Sequence, residues 1–378
     1  MSRVYLDYNA TAPIRPQAKA AVVAALETGG NPSSIHAAGR AARALVERAR
    51  EQVAALAGAR PQDLTFTSGG TEANNLAIAN AVAAGARRII VGATEHPSVM
   101  EAAVATGLPV ETWPVDRHGV ADLDWLRDRL ARWSQADGPP FVCLMLANNE
   151  TGVIQPVAEA AELVHAVGGR LHCDAVQAVG KIEVRAYDLG CDSLSLSAHK
   201  LGGPTGAGAL VTLCGFELAK QTHGGGQERG RRGGTENVPG IAGFGAAAEM
   251  AALQDSGWRD AAARRLKQEA DVTVFGEGAE RLPNTLCFAA EGLSSELQLM
   301  ALDLAGVMVS SGSACSSGKV KASPVIAAMD FPDLAGCAIR VSGGWATTEA
   351  DWAAFADAWL EAYTRRRSRA RPRIREAV

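Results

Sequence analysis

Apolar and polar positions follow two rhythms along most of the chain. Ala-rich stretches with apolar residues at helical spacing, such as Pro16–Glu27 and Ala37–Ala57, predict amphipathic helices. Short β-rich runs bounded by Gly, Asn or Ser predict buried strands. They are Leu64–Thr67, Arg88–Gly92, Phe141–Ala147, Arg170–Asp174, Ser193–Ser197 and Ala209–Leu213. Strand and helix alternate from about residue 17 to 250, which implies an α/β domain with a mostly parallel sheet flanked by helices. Such sheets place their sites at the carboxyl ends of strands, and polar, Gly-rich segments follow most of these runs. From about residue 256 charged helical stretches and shorter strands predict a smaller α+β domain. The expected partition is a large domain over 14–255 and a small one formed by 1–13 and 256–378.

Composition narrows the class. With 378 residues and 47% hydrophobic content the chain can bury an ordinary core, which excludes global disorder. A net charge of −4 gives no reason to expect nucleic acid or a membrane surface as partner. No apolar run reaches about 18 residues, the length of a membrane-spanning helix. The start, Met1 to Asp7, lacks the apolar stretch of a signal peptide, so a cytoplasmic location is expected. The seven cysteines are odd in number and form no C-x-x-C pair, which argues against a disulfide framework and a structural zinc site. Seven arginines between Arg365 and Arg375 read as a solvated tail or as a contact for an acidic partner or nucleic acid.

Three segments carry chemistry in chain order. Phe66 to Asn75 runs from a strand through Ser68, Gly69, Gly70 and Thr71 into a helix. Free N–H groups at a helix start, glycines and a hydroxyl suit an anion such as a phosphate; a plain turn with a helix cap fits equally well. Leu171 to Gln177 puts the Asp174 carboxylate at a strand end. It is either a helix cap or, if buried, a group that needs a cationic partner, with Gln177 in reach of the same ligand. Ser195 to Pro204 places Lys200 at another strand end among apolar residues and glycines. It is either surface decoration or a nucleophile that forms a Schiff base. Together the three meet the needs of pyridoxal phosphate: an anion site, an acid facing the ring nitrogen and a lysine for the aldehyde.

Four more segments frame a site. His96 lies between a strand and a helix, as a flat ring over a cofactor, a proton shuttle or a helix-start residue. Asn148 to Gly152 follows a buried strand, and Arg340 sits inside an apolar strand, where a carboxylate partner would explain it. Ser310 to Gly318 contains only Ser, Gly, Ala and Cys315. Having nothing to bury, it predicts a loop able to move, about 308–322 in extent, with Cys315 as a nucleophile or an incidental thiol.

These segments resemble the NifS/IscS-like cysteine desulfurases, in the class V branch of fold-type I pyridoxal-phosphate enzymes. The resemblance covers nearly the whole chain, in family order. It includes Tyr5–Thr11, Asn31–His36, Gly39-Arg40, Phe66–Asn75, Glu95-His96, Asn148–Gly152, Asp174–Lys181, Ser197–Gly206, Gly224–Gly230, Gly234–Asn237 and Ser310–Ser317. It implies the aminotransferase-like fold, pyridoxal 5′-phosphate as cofactor and a homodimer. It also implies roles. Lys200 resembles the Schiff-base lysine, and His96 the histidine stacked on the ring that handles protons. Asp174 matches the partner of the ring nitrogen and Gln177 the donor to the phenolic oxygen. Gly70, Thr71, Ser197 and His199 correspond to the phosphate site. Thr235 resembles the threonine that reaches the phosphate across the dimer. Asn148 and Arg340 resemble the binders of the substrate carboxylate, and Cys315 the cysteine that takes sulfur as a persulfide. The implied reaction converts L-cysteine to L-alanine. The persulfide then goes to a sulfur acceptor or iron–sulfur scaffold protein of the IscU or SufE kind. No intrinsic metal is implied, Cys315 being at most a transient iron–sulfur ligand. Selenocysteine lyases, other class V enzymes and a non-catalytic cofactor-binding regulator are the alternatives. Two small departures are Ala12, where many relatives carry Thr, and Gly70, where many carry Ala. The segment Lys319 to Lys321 is more basic than expected, and the Arg-rich end does not resemble the scaffold-docking segment of some relatives.

Overall fold

The computed structural model describes residues 3–213, 215–253, 255–312 and 322–370. Twelve strands appear among them: β1 (Val4–Tyr5), β2 (Leu64–Thr67), β3 (Ile89–Gly92), β4 (Val110–Trp113), β5 (Phe141–Cys143), β6 (Arg170–Asp174), β7 (Ser193–Ser197), β8 (Gly208–Thr212), β9 (Thr273–Val274), β10 (Thr285–Ala289), β11 (Val307–Met308) and β12 (Ala338–Ser342). Seven form one sheet in the order β2-β8-β7-β6-β5-β3-β4. Only β8 runs antiparallel to its neighbours. This is the mostly parallel sheet that the strand–helix rhythm predicts. Its middle strands are buried throughout, as helices on both faces require.

The predicted strands mostly match in place, with two informative differences. The run from Phe141 leaves regular strand after Cys143. On its β6 side the ladder continues, Leu144 N–H donating to His172 O (3.0 Å) and Leu146 N–H to Asp174 O (2.9 Å). On its β3 side the Glu95 carboxylate takes the Met145 N–H instead of a strand carbonyl. The edge strand β4 carries no alternation strong enough to predict it. β7 is buried on both faces as expected, although Ser and Leu alternate along it; its serine face points into the site described below.

A second core forms around the antiparallel sheet β12-β10-β9 and the helices Gly257–Glu269, Ser295–Leu304 and Glu349–Ala370. Phe288 meets Phe355 and Trp359 edge to face, with centroids 6.1 and 5.0 Å apart, a geometry worth about 1 kcal/mol per pair beyond burial. The chain start belongs to this core: β1 pairs parallel with β11, and Leu6 is fully buried there. No helix among the described residues is long and apolar enough to cross a membrane.

Candidate active site

A cavity of about 410 Å³ opens where the carboxyl ends of β6 and β7 meet the second core. One end of it is built on β2. Ser68 and Gly69 lead into the helix Gly70–Ala83, whose first intrahelical bond is Ala73 N–H to Gly69 O. The earlier amides are therefore available to a ligand. Strand β8 passes so close that a Cβ on Gly208 would lie 2.5 Å from Gly69 Cα, so only glycine fits there. The Thr71 and Ser197 side chains line this end, and neither hydroxyl bonds to another described residue. His199 lines it as well, with Nδ1 3.1 Å from Thr11 Oγ1. Burial first, then the Lys200 charge, lowers its pKa to about 4, so it is neutral near pH 7.

Asp174 ends β6 and is 7% exposed. Its Oδ2 accepts from Asn74 Nδ2 (2.8 Å) and its Oδ1 from Val176 N–H (3.0 Å). No ion pair to it is found among the described residues, so its charge is held by neutral donors and remains for a cation in the cavity. Asn74 is the hub of a network. Because a carboxylate only accepts, Asn74 turns its NH2 to Asp174 and to Ser98 Oγ (2.8 Å). Its oxygen then faces His172 Nε2 at 2.9 Å, which makes that nitrogen the protonated one. His96 caps the helix Pro97–Ala105, its Nδ1 accepting from Ser98 N–H at 3.1 Å and lying 2.8 Å from Ser98 Oγ. The ring proton of neutral His96 is therefore on Nε2. Burial is the first cause that lowers the His96 pKa and Lys200 adds to it, while Asp174 opposes both.

Lys200 follows β7, and its Nζ donates to Asn9 O (2.5 Å) and Ala10 O (2.9 Å) while lining the cavity. Gln177 lines the cavity too, with Nε2 donating to Asn9 O at 2.9 Å. Neighbouring Glu95 has its Oε2 enclosed without a partner. Burial, reinforced by the Asp174 charge, pushes its carboxyl well above the usual carboxylate range.

The opposite wall comes from the second core. Arg340, on β12, is buried and lines the cavity, but it already has a protein acid: Nη2 lies 2.8 Å from Asp7 Oδ1, and Nη1 donates to Asn149 O at 3.2 Å. Its Nε is enclosed without a partner. Asn148 does not line the cavity; its Oδ1 accepts from the amides of Glu150 and Thr151 and its Nδ2 donates to Thr94 O, so it shapes the turn. Asn149 lines the cavity in its place. Thr235 is exposed and is not among the lining residues of the single chain. Cys315 lies outside the described residues, as do Lys319 and Lys321. Ser310 and Ser311, expected to have nothing to bury, are in fact buried, because Ser310 pairs with Arg340 across the strand edge. Beyond the undescribed stretch, Ser323 Oγ donates to Glu150 Oε2 at 2.5 Å. A Cβ on Gly312 would lie 1.8 Å from that same oxygen, so glycine is required there.

The cavity thus combines a helix start, an unpaired buried carboxylate and a strand-end lysine within one fold. The family model for class V aminotransferases matches residues 4–355. The chain belongs to the class V aminotransferase family. Curated relatives include the cysteine desulfurase IscS of Dictyoglomus turgidum, 41% identical over 92% of this chain and 91% of that one. A cysteine desulfurase of Cereibacter sphaeroides is 43% identical over 93% of each. Among solved structures, a NifS-like protein from Rickettsia africae superposes with a TM-score of 0.87 at 32% identity, over 96% of this chain and 99% of that one. The class V family uses pyridoxal 5′-phosphate, and the residues present fit that group: an unpaired acid for a ring nitrogen, open hydroxyls and amides for a phosphate, and an amine for an aldehyde.

Sequence reasoning about single segments missed Asn74, Ser98, His172, Asn9 and Lys181. All but Ser98 and His172 fall inside motifs that the resemblance quoted, without a role attached. His172 and Ser193, at the same level of adjacent strands (2.9 Å), were the available signal: polar residues facing each other inside buried strands must be bonded.

Proposed function

We infer that the protein is a cytoplasmic cysteine desulfurase that takes sulfur from L-cysteine and releases L-alanine, using pyridoxal 5′-phosphate. The observation that carries this reading is the meeting of Asp174, Lys200 and the helix start at Gly70 in one cavity, in a chain whose relatives bear that name. Gly70, Thr71, Ser197 and His199 would hold the phosphate, with Thr235 supplied by the second subunit of a homodimer. Asp174 would keep a proton on the ring nitrogen, Gln177 would donate to the phenolic oxygen, and Lys200 would bind the aldehyde. When bound, the cofactor supplies an electron sink that weakens the substrate's C–S bond. His96 would cover the ring and manage protons. Arg340 and the Asn148 turn would orient the substrate carboxylate. The Cys315 thiolate would attack the substrate sulfur, forming an S–S bond as the C–S bond breaks, with the electron pair returning to carbon. The Cys315 persulfide would then pass to an acceptor or iron–sulfur scaffold protein of the IscU or SufE kind. The working division of the chain is 14–255 for cofactor binding, with 1–13 and 256–378 carrying the Cys315 loop.

The test is a pair of variants. Lys200→Ala should lose the visible absorbance of bound cofactor. Cys315→Ser should keep that absorbance and respond to cysteine, while alanine release nearly stops. Alanine release at the wild-type rate by Cys315→Ser would point instead to a lyase that expels the chalcogen without a protein thiol.

A further inference from the structure

Lys181 is a buried amine that the proposed reaction does not use. It is 3% exposed, and no ion pair to it is found among the described residues. Its Nζ has two partners, both amide oxygens: Gln177 Oε1 at 2.6 Å and Asn9 Oδ1 at 2.8 Å. A lysine amine at this depth needs a reason, since burying it costs several kcal/mol. Burial, then the nearby Lys200 and Arg340 charges, all push it towards neutrality.

The two contacts decide how the neighbouring amides face. The Lys181 amine donates to both amide oxygens, so Gln177 turns its oxygen to Lys181. Its NH2 then points to Asn9 O, which takes one hydrogen at 2.9 Å, and the second hydrogen is left for the cavity that Gln177 lines. Without Lys181 the Gln177 amide could rotate by half a turn and present an oxygen instead. Asn9 is held in the same way. Its Oδ1 accepts from Lys181 and from Asn284 Nδ2 (3.2 Å), and its Nδ2 donates to Thr285 Oγ1 (2.9 Å). The backbone oxygen of this braced residue is the one that receives Lys200 Nζ. One amine therefore sits behind both groups that face the cofactor's aldehyde side.

We propose that Lys181 is a positioning residue: it locks Gln177 with its NH2 towards an anionic ring oxygen and braces the Asn9 carbonyl that orients Lys200. This rests on the pyridoxal-phosphate reading above. The role asks for a donor at Lys181, not for a charge, so a neutral donor should partly replace it.

The experiment compares full-length wild type with Lys181→Met, Lys181→Gln, Gln177→Ala and the double variant Gln177→Ala/Lys181→Met. It reads the dissociation constant of pyridoxal phosphate, the pH midpoint of its visible band and KM against kcat. Lys181→Met should bind the cofactor about three- to tenfold more weakly, the loss of one hydrogen bond's net contribution. Its band midpoint should move to higher pH, because the ionised ring oxygen loses its donor. Lys181→Gln should recover most of the affinity. In the Gln177→Ala background Lys181→Met should have much less effect, since its main target is gone. Unchanged affinity and midpoint in Lys181→Met, or effects that simply add in the double variant, would overturn the proposal. If Lys181→Met fails to fold, a Lys181→Gln protein that binds no better than Gln177→Ala overturns it equally. Wild type that binds no pyridoxal phosphate would refute the functional reading itself, a separate outcome.

Discussion

The two walls of the cavity treat charge in opposite ways. On the sheet wall, Asp174 is held by two neutral donors and His172, His96 and His199 are kept uncharged. On the opposite wall, Arg340 is already in a pair with Asp7. A carboxylate that stays buried without a cation is held in a costly state unless a ligand supplies the charge. A guanidinium that is already paired loses little while it waits, and must exchange partners to bind a second acid. The sheet wall is therefore prepared for a permanent group and the other wall for one that comes and goes.

The largest test of this contrast removes the sheet wall's charge. Asp174→Ala should lower the rate of alanine release about 10²- to 10³-fold, the scale seen when one preorganised electrostatic group is deleted. It should also blue-shift or bleach the bound cofactor, read by absorbance. A rate within about threefold of wild type would mean that the carboxylate serves only as a turn cap.

That bland reading of Asp174 was open in the sequence, and the reason shows what a sequence carries. Strand positions follow from runs such as Ile89–Val91, where burial on both faces demands continuous apolar residues. The resemblance marked Asp174, Lys200 and His96 because each belongs to a contiguous motif. Other pairs around the cavity join distant segments: Asn9 to Lys181 spans 172 positions and Asp7 to Arg340 spans 333. No local rhythm reports such pairs. Arg340 illustrates it best, since an Arg in an apolar strand predicts a carboxylate without saying whose. β7 shows the same limit. Its burial was legible in the sequence, but the partner of its polar face was not, and the bond between Ser193 and His172 supplies it.

The exchange at Arg340 can be tested from both sides. Arg340→Ala should raise KM for cysteine by about 30-fold, close to 2 kcal/mol, with cofactor occupancy unchanged. Asp7→Asn should do the reverse on a smaller scale. With its competing acid gone, Arg340 holds the substrate carboxylate better, and KM should fall about two- to fivefold, a modest charge-pair effect. Steady-state kinetics of the two variants checks both. An unchanged KM in Asp7→Asn, together with a lower melting temperature, would make the Asp7–Arg340 pair structural and erase the difference between the walls.

The smallest expected effect concerns acid. Burial lowers the His172 pKa from 6.5 to about 4, with Asp174 and a backbone bond to Ser193 opposing the shift. In the unfolded chain this histidine binds its proton near pH 6.5, so between about pH 6.5 and 4 the unfolded state holds more protons than the folded one. Stability from His172 is complete above that window and is lost as pH falls through it, with a slope of up to about 1.4 kcal/mol per pH unit. Glu150, in the turn that follows β5, has its carboxyl raised chiefly by burial. Its folded form therefore holds the extra proton, and its contribution is present at low pH and lost as pH rises. His172 and Glu150 therefore respond to acid with opposite signs. Gln at position 172 can still donate to Asn74 Oδ1 and accept from Ser193, so His172→Gln should keep the network without the titration. Denaturant melts from pH 4 to 7 should then show a flatter rise of stability with pH than wild type. Glu150→Gln should steepen that rise, because it removes only the opposing contribution. Equal slopes in wild type and His172→Gln would mean that the buried histidine does not titrate between the two states, and the acid sensitivity would have to come from His96 and His199.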